Sequence, residues 1–241
     1  MIRAETRGPV TVVTMDRPDR RNAVDLAAVG DLTAAVTGAS GDTRVLVLTG
    51  ADGHFCAGAD LGGVEDTAFT LALRVLLDGL RAGPFVTMAA VEGAALGAGT
   101  QLAVACDLRV ATPAATFGIP AARLGLAVDA WTAQRVALLA GHGPARAMLL
   151  AAETMAGDDA HRLGLVQRLG TLDDALAWAD GIAALAPLTI RAHKAALEAI
   201  EPRLDDPGAV QAAIDRAWAS DDLREGLAAF RERRTPAFQG R

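Results

Sequence analysis

VLVLTGADGHFCAGADL, residues 45–61, is the stretch from which the fold can be read. It opens as an apolar β-branched run bounded by Gly50, which reads as a strand over 44–49. Residues 50–61 then pack three glycines and three alanines into a tight turn. Upstream, Val10–Met15 is a second β-branched run, residues 17–22 read as a loop, and Asp25 is placed to cap a helix over 26–37. Strand, helix and strand in succession imply parallel pairing with helices covering the sheet. Downstream the alternation repeats, with a helix over 70–80, a strand over 85–91, a helix over 97–106 and a strand over 108–111. The expected class is therefore layered α/β. Beyond 130 the pattern is almost wholly helical, with helices expected over 130–140, 144–151, 175–186, 188–201, 210–220 and 221–233. This reading places the core over 1–190 and a helical C-terminal region over 191–241.

A second stretch, VEGAALGAGTQLAVACD at 91–107, reads as a strand end, a small-residue turn and a helix beginning near Gly97. The first amides of such a helix lack internal partners and lie at the positive end of its dipole, which suits developing negative charge. Turns built from glycine and alanine let a ligand approach backbone N–H groups closely. Each turn alone is also explained by tight packing or, for Asp60, by helix capping. Their joint occurrence is the informative feature.

Bulk properties narrow the field. With 241 residues, 51% of them hydrophobic, the chain can bury a large core, and its net charge of −6 argues against an extended nucleic-acid surface. No basic segment followed by an apolar run opens the chain, and no run reaches the roughly 18 residues of a membrane span, so a cytoplasmic protein is expected. Cys56 and Cys106 share no metal-like spacing and sit in apolar contexts. No metal site is expected.

Residues 17–26, 45–61, 86–107, 116–135 and 224–238 resemble, in order, the successive signatures of the enoyl-CoA hydratase/isomerase family, the crotonases. The resemblance implies a spiral of β-β-α units with a helical C-terminal region that builds homotrimers, often paired into hexamers. It implies an acyl-CoA ligand or substrate and no permanently bound cofactor. It assigns the oxyanion-hole amides to Ala59 and Ala98, and CoA contacts to Arg20, Arg21, Ala57, Asp60, Leu61, Phe230 and Arg233. Phe230 and Arg233 fall three apart, a spacing that shares one helix face. An N–H survives at any residue except proline, so alanine at 98, where the family commonly has glycine, keeps the donor.

The pattern breaks where acid–base chemistry should sit. Standard hydratases carry glutamates at the positions of Gln101 and Ala121; one carboxyl group activates water and the other helps protonate the α-carbon. Gln101 hydrogen-bonds water but accepts no proton at neutral pH, and Ala121 does neither. Asp129 falls eight residues after Ala121, where an aspartate performs chemistry in dienoyl-CoA isomerases and aroyl-CoA dehalogenases of the family. Capping a helix from Ala130 is its alternative role, and Trp131 beside it is placed to line an acyl tunnel with Gln101 and Ala121. GLAVDAW at 125–131, GHGPARAMLL at 141–150 and LGTLD at 169–173 are similar to an actinobacterial branch that lacks the glutamate pair. That branch is linked to long-chain acyl-CoA binding for mycolic-type lipid synthesis, and the resemblance implies a lipid-synthesis protein as partner. Three readings follow: an acyl-CoA binder without normal hydratase activity, an isomerase or lyase working through Asp129, and an ordinary β-oxidation hydratase.

Overall fold

The computed structural model describes residues 1–39, 41–60, 67–199 and 207–241. Among them the strands are β1 (Ile2–Arg7), β2 (Val10–Met15), β3 (Val45–Gly50), β4 (Val86–Val91), β5 (Ala94–Leu96), β6 (Leu108–Ala111), β7 (Thr116–Gly118), β8 (Thr154–Ala156) and β9 (Arg168–Leu169). The helices are α1 (Leu26–Thr37), α2 (Thr67–Ala82), α3 (Ala98–Ala105), α4 (Ala130–Ala140), α5 (His142–Leu150), α6 (Gly157–Arg162), α7 (Leu172–Ala183), α8 (Pro187–Glu198), α9 (Pro207–Trp218) and α10 (Asp221–Glu232). The chain divides into two compact units, Met1–Phe117 with Ala156–Glu201 and Gly118–Met155 with Pro202–Arg241. The expected boundary at 190/191 lies inside α8, and residues 118–155 group with the C-terminal helices.

The first unit is built on a six-stranded sheet in the order β1-β2-β3-β4-β6-β9. Only the β1·β2 pair is antiparallel; β2 through β9 run parallel, as the strand–helix–strand alternation requires. One face, formed by Val12, Val45, Val47, Val86, Met88 and Val110, packs on Ala175, Ala179, Ile182 and Ala183 of α7. The alternate residues Leu46, Leu48, Ala89 and Val91 are buried as well, so the central strands are covered on both faces. Asp25 caps α1 as expected, its Oδ1 accepting from the Ala28 N–H at 2.8 Å. Helix α7 starts earlier than expected because Thr171 and Asp174 form a capping box.

A buried and a half-buried cation fasten this unit. Arg109 of β6 is 1% exposed and donates to the carbonyls of Ala103, Cys106, Asp107 and Leu165 and to Gln167 Oε1. Lys194, the one lysine of the sequence, reaches from α8 to Asp107 Oδ2 at 2.8 Å and to the Leu80 and Phe85 carbonyls. Asp107 Oδ2 also accepts from the Thr87 N–H at 2.7 Å and the Thr87 hydroxyl at 3.0 Å.

In the second unit α10 lies against a 3-10 turn over Pro120–Leu124. Gly226 makes that approach possible: a Cβ there would stand 2.4 Å from the Leu124 carbonyl oxygen. Trp218 Nε1 donates to the Ala127 carbonyl at 2.8 Å. The tail after α10 folds back, with Arg234 paired to Glu225 and the Gln239 and Gly240 N–H groups bonded to Asp222. Among the described residues no helix is long and apolar enough to cross a membrane.

Candidate functional site: two crossing loops

The loops after β3 and β4 leave the carboxyl ends of adjacent parallel strands, the end at which open α/β sheets place their ligands. They cross and zip together: the Phe55 N–H donates to Glu92 O at 2.7 Å, the Cys56 N–H to Ala94 O at 2.8 Å and the Leu96 N–H to Cys56 O at 2.9 Å. Glycine permits the contact. A Cβ at Gly99 would lie 2.1 Å from Cys56 O, and one at Gly93 would lie 2.2 Å from Gly53 O. His54 Nδ1 accepts from the Ala94 N–H at 3.3 Å, which requires Nδ1 to be the unprotonated ring nitrogen. Cys56 lies beneath the crossing, fully buried, and desolvation pushes its thiol up to about 12.

Ala59 and Ala98 stand at this crossing. Val24 bridges Ala59 in parallel fashion, its N–H donating to Gly58 O at 2.9 Å and its carbonyl accepting from Asp60 N at 2.7 Å. Those bonds use the groups flanking Ala59 and turn its own N–H to the opposite side. Ala98 is the first residue of α3, so its N–H has no acceptor within the helix. Neither amide donates to a described residue. Gly58 (φ 115°) and Gly97 (φ 52°) take positive-φ conformations that aim the two following peptides. A Cβ on Gly58 would lie 4.0 Å from Ala98 N, which makes the Gly58–Ala59 and Gly97–Ala98 peptides neighbours. Ala98 is buried and Ala59 half-buried. Two backbone donors side by side, unused by the fold, form an arrangement able to bind one oxygen that carries partial negative charge.

The 17–25 segment holds this crossing, which sequence reasoning missed. Asn22 is 1% exposed with φ 58°, and its Nδ2 donates to Ala51 O at 2.8 Å and His54 O at 2.6 Å while its Oδ1 accepts from the Arg17 N–H at 2.8 Å. Arg17 pairs with Asp25 at 2.8 Å and with Asp60 at 3.3 Å. Asp60 is thus tied to Arg17, and the residues that follow it, 61–66, lie outside the described residues. Asparagine, a residue type that tolerates left-handed backbone, was the available signal, but a polar residue in a loop does not announce burial.

The remaining expected residues of this unit are scattered around the crossing. Ala57 is half-buried and its N–H is used on Arg21 O at 3.0 Å. Arg20 and Arg21 are exposed at the end of a 3-10 turn over Pro18–Arg20. Gln101 is half-buried in the first turn of α3, and Leu61 lies outside the described residues.

In the second unit Ala121 is half-buried in the 3-10 turn and Trp131 is buried in α4. Asp129 does serve as N-cap of α4, its Oδ1 accepting from the Thr132 N–H at 2.8 Å. Phe230 is 58% exposed on the last turn of α10. Arg233, expected to share its helix face, instead leaves the helix as a left-handed C-cap with φ 54°. The physical reason is that α10 stops at Glu232, where the tail turns back to bond with Glu225.

The family model for enoyl-CoA hydratase/isomerase matches residues 5–241. A probable enoyl-CoA hydratase, echA6, from Mycobacterium tuberculosis is 43% identical over 240 residues, with 96% of each chain covered. The human mitochondrial enoyl-CoA hydratase domain-containing protein 2 is 34% identical, covering 96% of this chain and 86% of that protein. Among solved structures, an enoyl-CoA hydratase/carnithine racemase from Magnetospirillum magneticum aligns at TM-score 0.79 and 31% identity, covering 100% of this chain and 96% of that one. A methylmalonyl-CoA decarboxylase aligns at TM-score 0.91 with 23% identity over 100% of this chain and 98% of the other, a likeness of fold alone. The glycine-built loop crossing, the parallel sheet with its covering helices and these matches agree, and the chain belongs to the enoyl-CoA hydratase/isomerase family, the crotonase fold.

Proposed function

We propose that this protein holds a fatty acyl-CoA thioester, with the Ala59 and Ala98 amides donating to the thioester oxygen, and that it does not carry out ordinary enoyl-CoA hydration. The observation that carries the second half is the pair Gln101 and Ala121 at the positions where hydratases of this family carry glutamates. Each missing acid–base role costs a factor of about 10² to 10⁴. The neighbouring unused amides support the first half, because two fixed donors grip a polarised carbonyl whether or not it reacts. In this reading Arg20, Arg21, Ala57, Asp60, Leu61, Phe230 and Arg233 contact CoA, and Trp131 lines the acyl chain.

The kinship with echA6, itself named a probable enoyl-CoA hydratase, supports a family role in lipid metabolism. We extend that role to mycolic-type lipid synthesis, to assembly as a homotrimer or hexamer, and to a lipid-synthesis protein as partner. An isomerase or lyase working through Asp129 is the second reading, favoured because Asp129 is the sole carboxylate between residues 116 and 135. Its capping bond to Thr132 gives it a structural occupation that needs no chemistry. Calorimetric titration with acyl-CoAs of several chain lengths tests the binding claim. Saturable binding that strengthens with chain length supports it, and heats indistinguishable from dilution at every length refute it.

A further inference from the structure

The segment Arg17–Val24 touches the crossing at both of its levels. Its backbone takes the 57–60 strip in register: the Ala57 N–H donates to Arg21 O, the Val24 N–H to Gly58 O and the Asp60 N–H to Val24 O. Its side chain at 22 takes the base of the same loop, spending both amide hydrogens on Ala51 O and His54 O. Gly50 closes the same packing, since a Cβ there would lie 2.0 Å from His54 O, 2.3 Å from Phe55 O and 2.8 Å from Asn22 Nδ2. Asn22 therefore fixes where the 21–24 strip sits against loop 51–60, and the strip fixes which way the Ala59 N–H points. Aspartate presents two acceptors to two carbonyls and cannot replace it, and alanine would suffer the left-handed backbone as well as losing three bonds.

We propose that Asn22 is a positioning residue for the Ala59 donor: its carboxamide clamp, and not the bulk of its side chain, sets the aim of one of the two N–H groups on the acyl carbonyl. This rests on the oxyanion reading given under Proposed function. It requires that loss of the clamp weaken a ligand only in proportion to what its carbonyl contributes.

The test compares an acyl-CoA thioester with the S-alkyl-CoA thioether of equal chain length, which keeps CoA and chain but lacks the oxygen. Asn22→Gly removes the clamp while tolerating φ 58°. Wild type is expected to prefer the thioester by about tenfold or more, the worth of one to two hydrogen bonds. In Asn22→Gly the preference should fall below about threefold, with thioether affinity changed by less than about threefold. A merely structural role would weaken both ligands alike and overturn the proposal, as would a variant with the wild-type preference. If wild type itself shows no preference, the oxyanion reading fails first, and the two failures stay distinct. Asn22→Ser, which keeps a hydroxyl in place of the carboxamide, provides a second measurement should Asn22→Gly not fold; failure of both to fold would overturn the proposal by assigning Asn22 to the fold.

Discussion

Substituting Gly99 by alanine tests the loop crossing with a change of sign. Gly99 sits inside α3, and alanine in a helix interior is ordinarily better than glycine by about 1 kcal/mol. At this position the added Cβ would lie 2.1 Å from Cys56 O and 3.0 Å from Cys56 C. An acceptable carbon–oxygen approach is about 3.3 Å, so the two backbones must separate by roughly 1 Å. Separation stretches or breaks the Leu96 N–H to Cys56 O bond, now 2.9 Å long. Overpacking costs about 1–3 kcal/mol and a lost buried hydrogen bond about 1 kcal/mol more. Against the helix gain the net destabilisation is about 1–3 kcal/mol, or about 2–12 °C in Tm for a chain of this size. The same movement displaces Ala59 relative to Ala98, so thioester binding should fall at least tenfold. Thermal and urea unfolding of wild type and Gly99→Ala, with acyl-CoA titration of both, measure these effects. A variant that is more stable than wild type and binds equally well would refute the crossing and the placing of the Ala59 and Ala98 amides by it.

Asp129→Asn keeps an N-cap acceptor for Thr132 and should change stability by less than about 0.5 kcal/mol, whereas Asp129→Ala should lose about 1 kcal/mol. Acyl-CoA affinity should be unchanged in both, and a slow wild-type turnover abolished in Asp129→Asn would revive the isomerase reading. Burial holds the Cys56 and Cys106 thiols protonated, with values pushed from 9.0 up to about 12. Neither should react with a thiol reagent at pH 8 until the protein is denatured, when both react. Because the unfolded chain releases these protons near pH 9 and the folded chain does not, stability falls as pH rises from 9 toward 12. Arg234 and the Ala237 N–H lower the Glu225 carboxyl to about 2, so its contribution is complete above the unfolded value of 4.5 and is lost as pH falls through about 2. Titration followed by NMR should show the C-terminal tail keeping its α10 contacts at pH 4.

Much of this was legible in the residues. Glycine and alanine in two successive turns leave little choice but close backbone approach, and the periodicity of 26–37 or 130–140 is that of helices with one buried face. What stayed hidden has physical reasons. Strand β1, IRAETR, pairs through its backbone at the sheet edge with mostly exposed side chains, so it carries no apolar alternation. The two-residue β9 is too short for any pattern. Asn22, Arg17 and Lys194 do their work through partners far away in sequence, such as Lys194 on Asp107, and nothing local distinguishes them from solvated polar residues. The grouping of residues 118–155 with the C-terminal helices depends on contacts like Gly226 on Leu124, which no local signal encodes.

A protein that keeps its family's grip on an acyl thioester but lacks the acid–base pair for hydration should bind enoyl-CoA without converting it. The most direct test is a single-turnover assay with trans-2-enoyl-CoA at a concentration shown by calorimetry to saturate the protein. Typical enzymes turn over at about 10 s⁻¹, and loss of two acid–base roles should place hydration below about 10⁻³ s⁻¹. Bound, unreacted enoyl-CoA is expected on that timescale; hydration at rates near 10 s⁻¹ by the unmodified protein would contradict the proposed loss of hydratase chemistry.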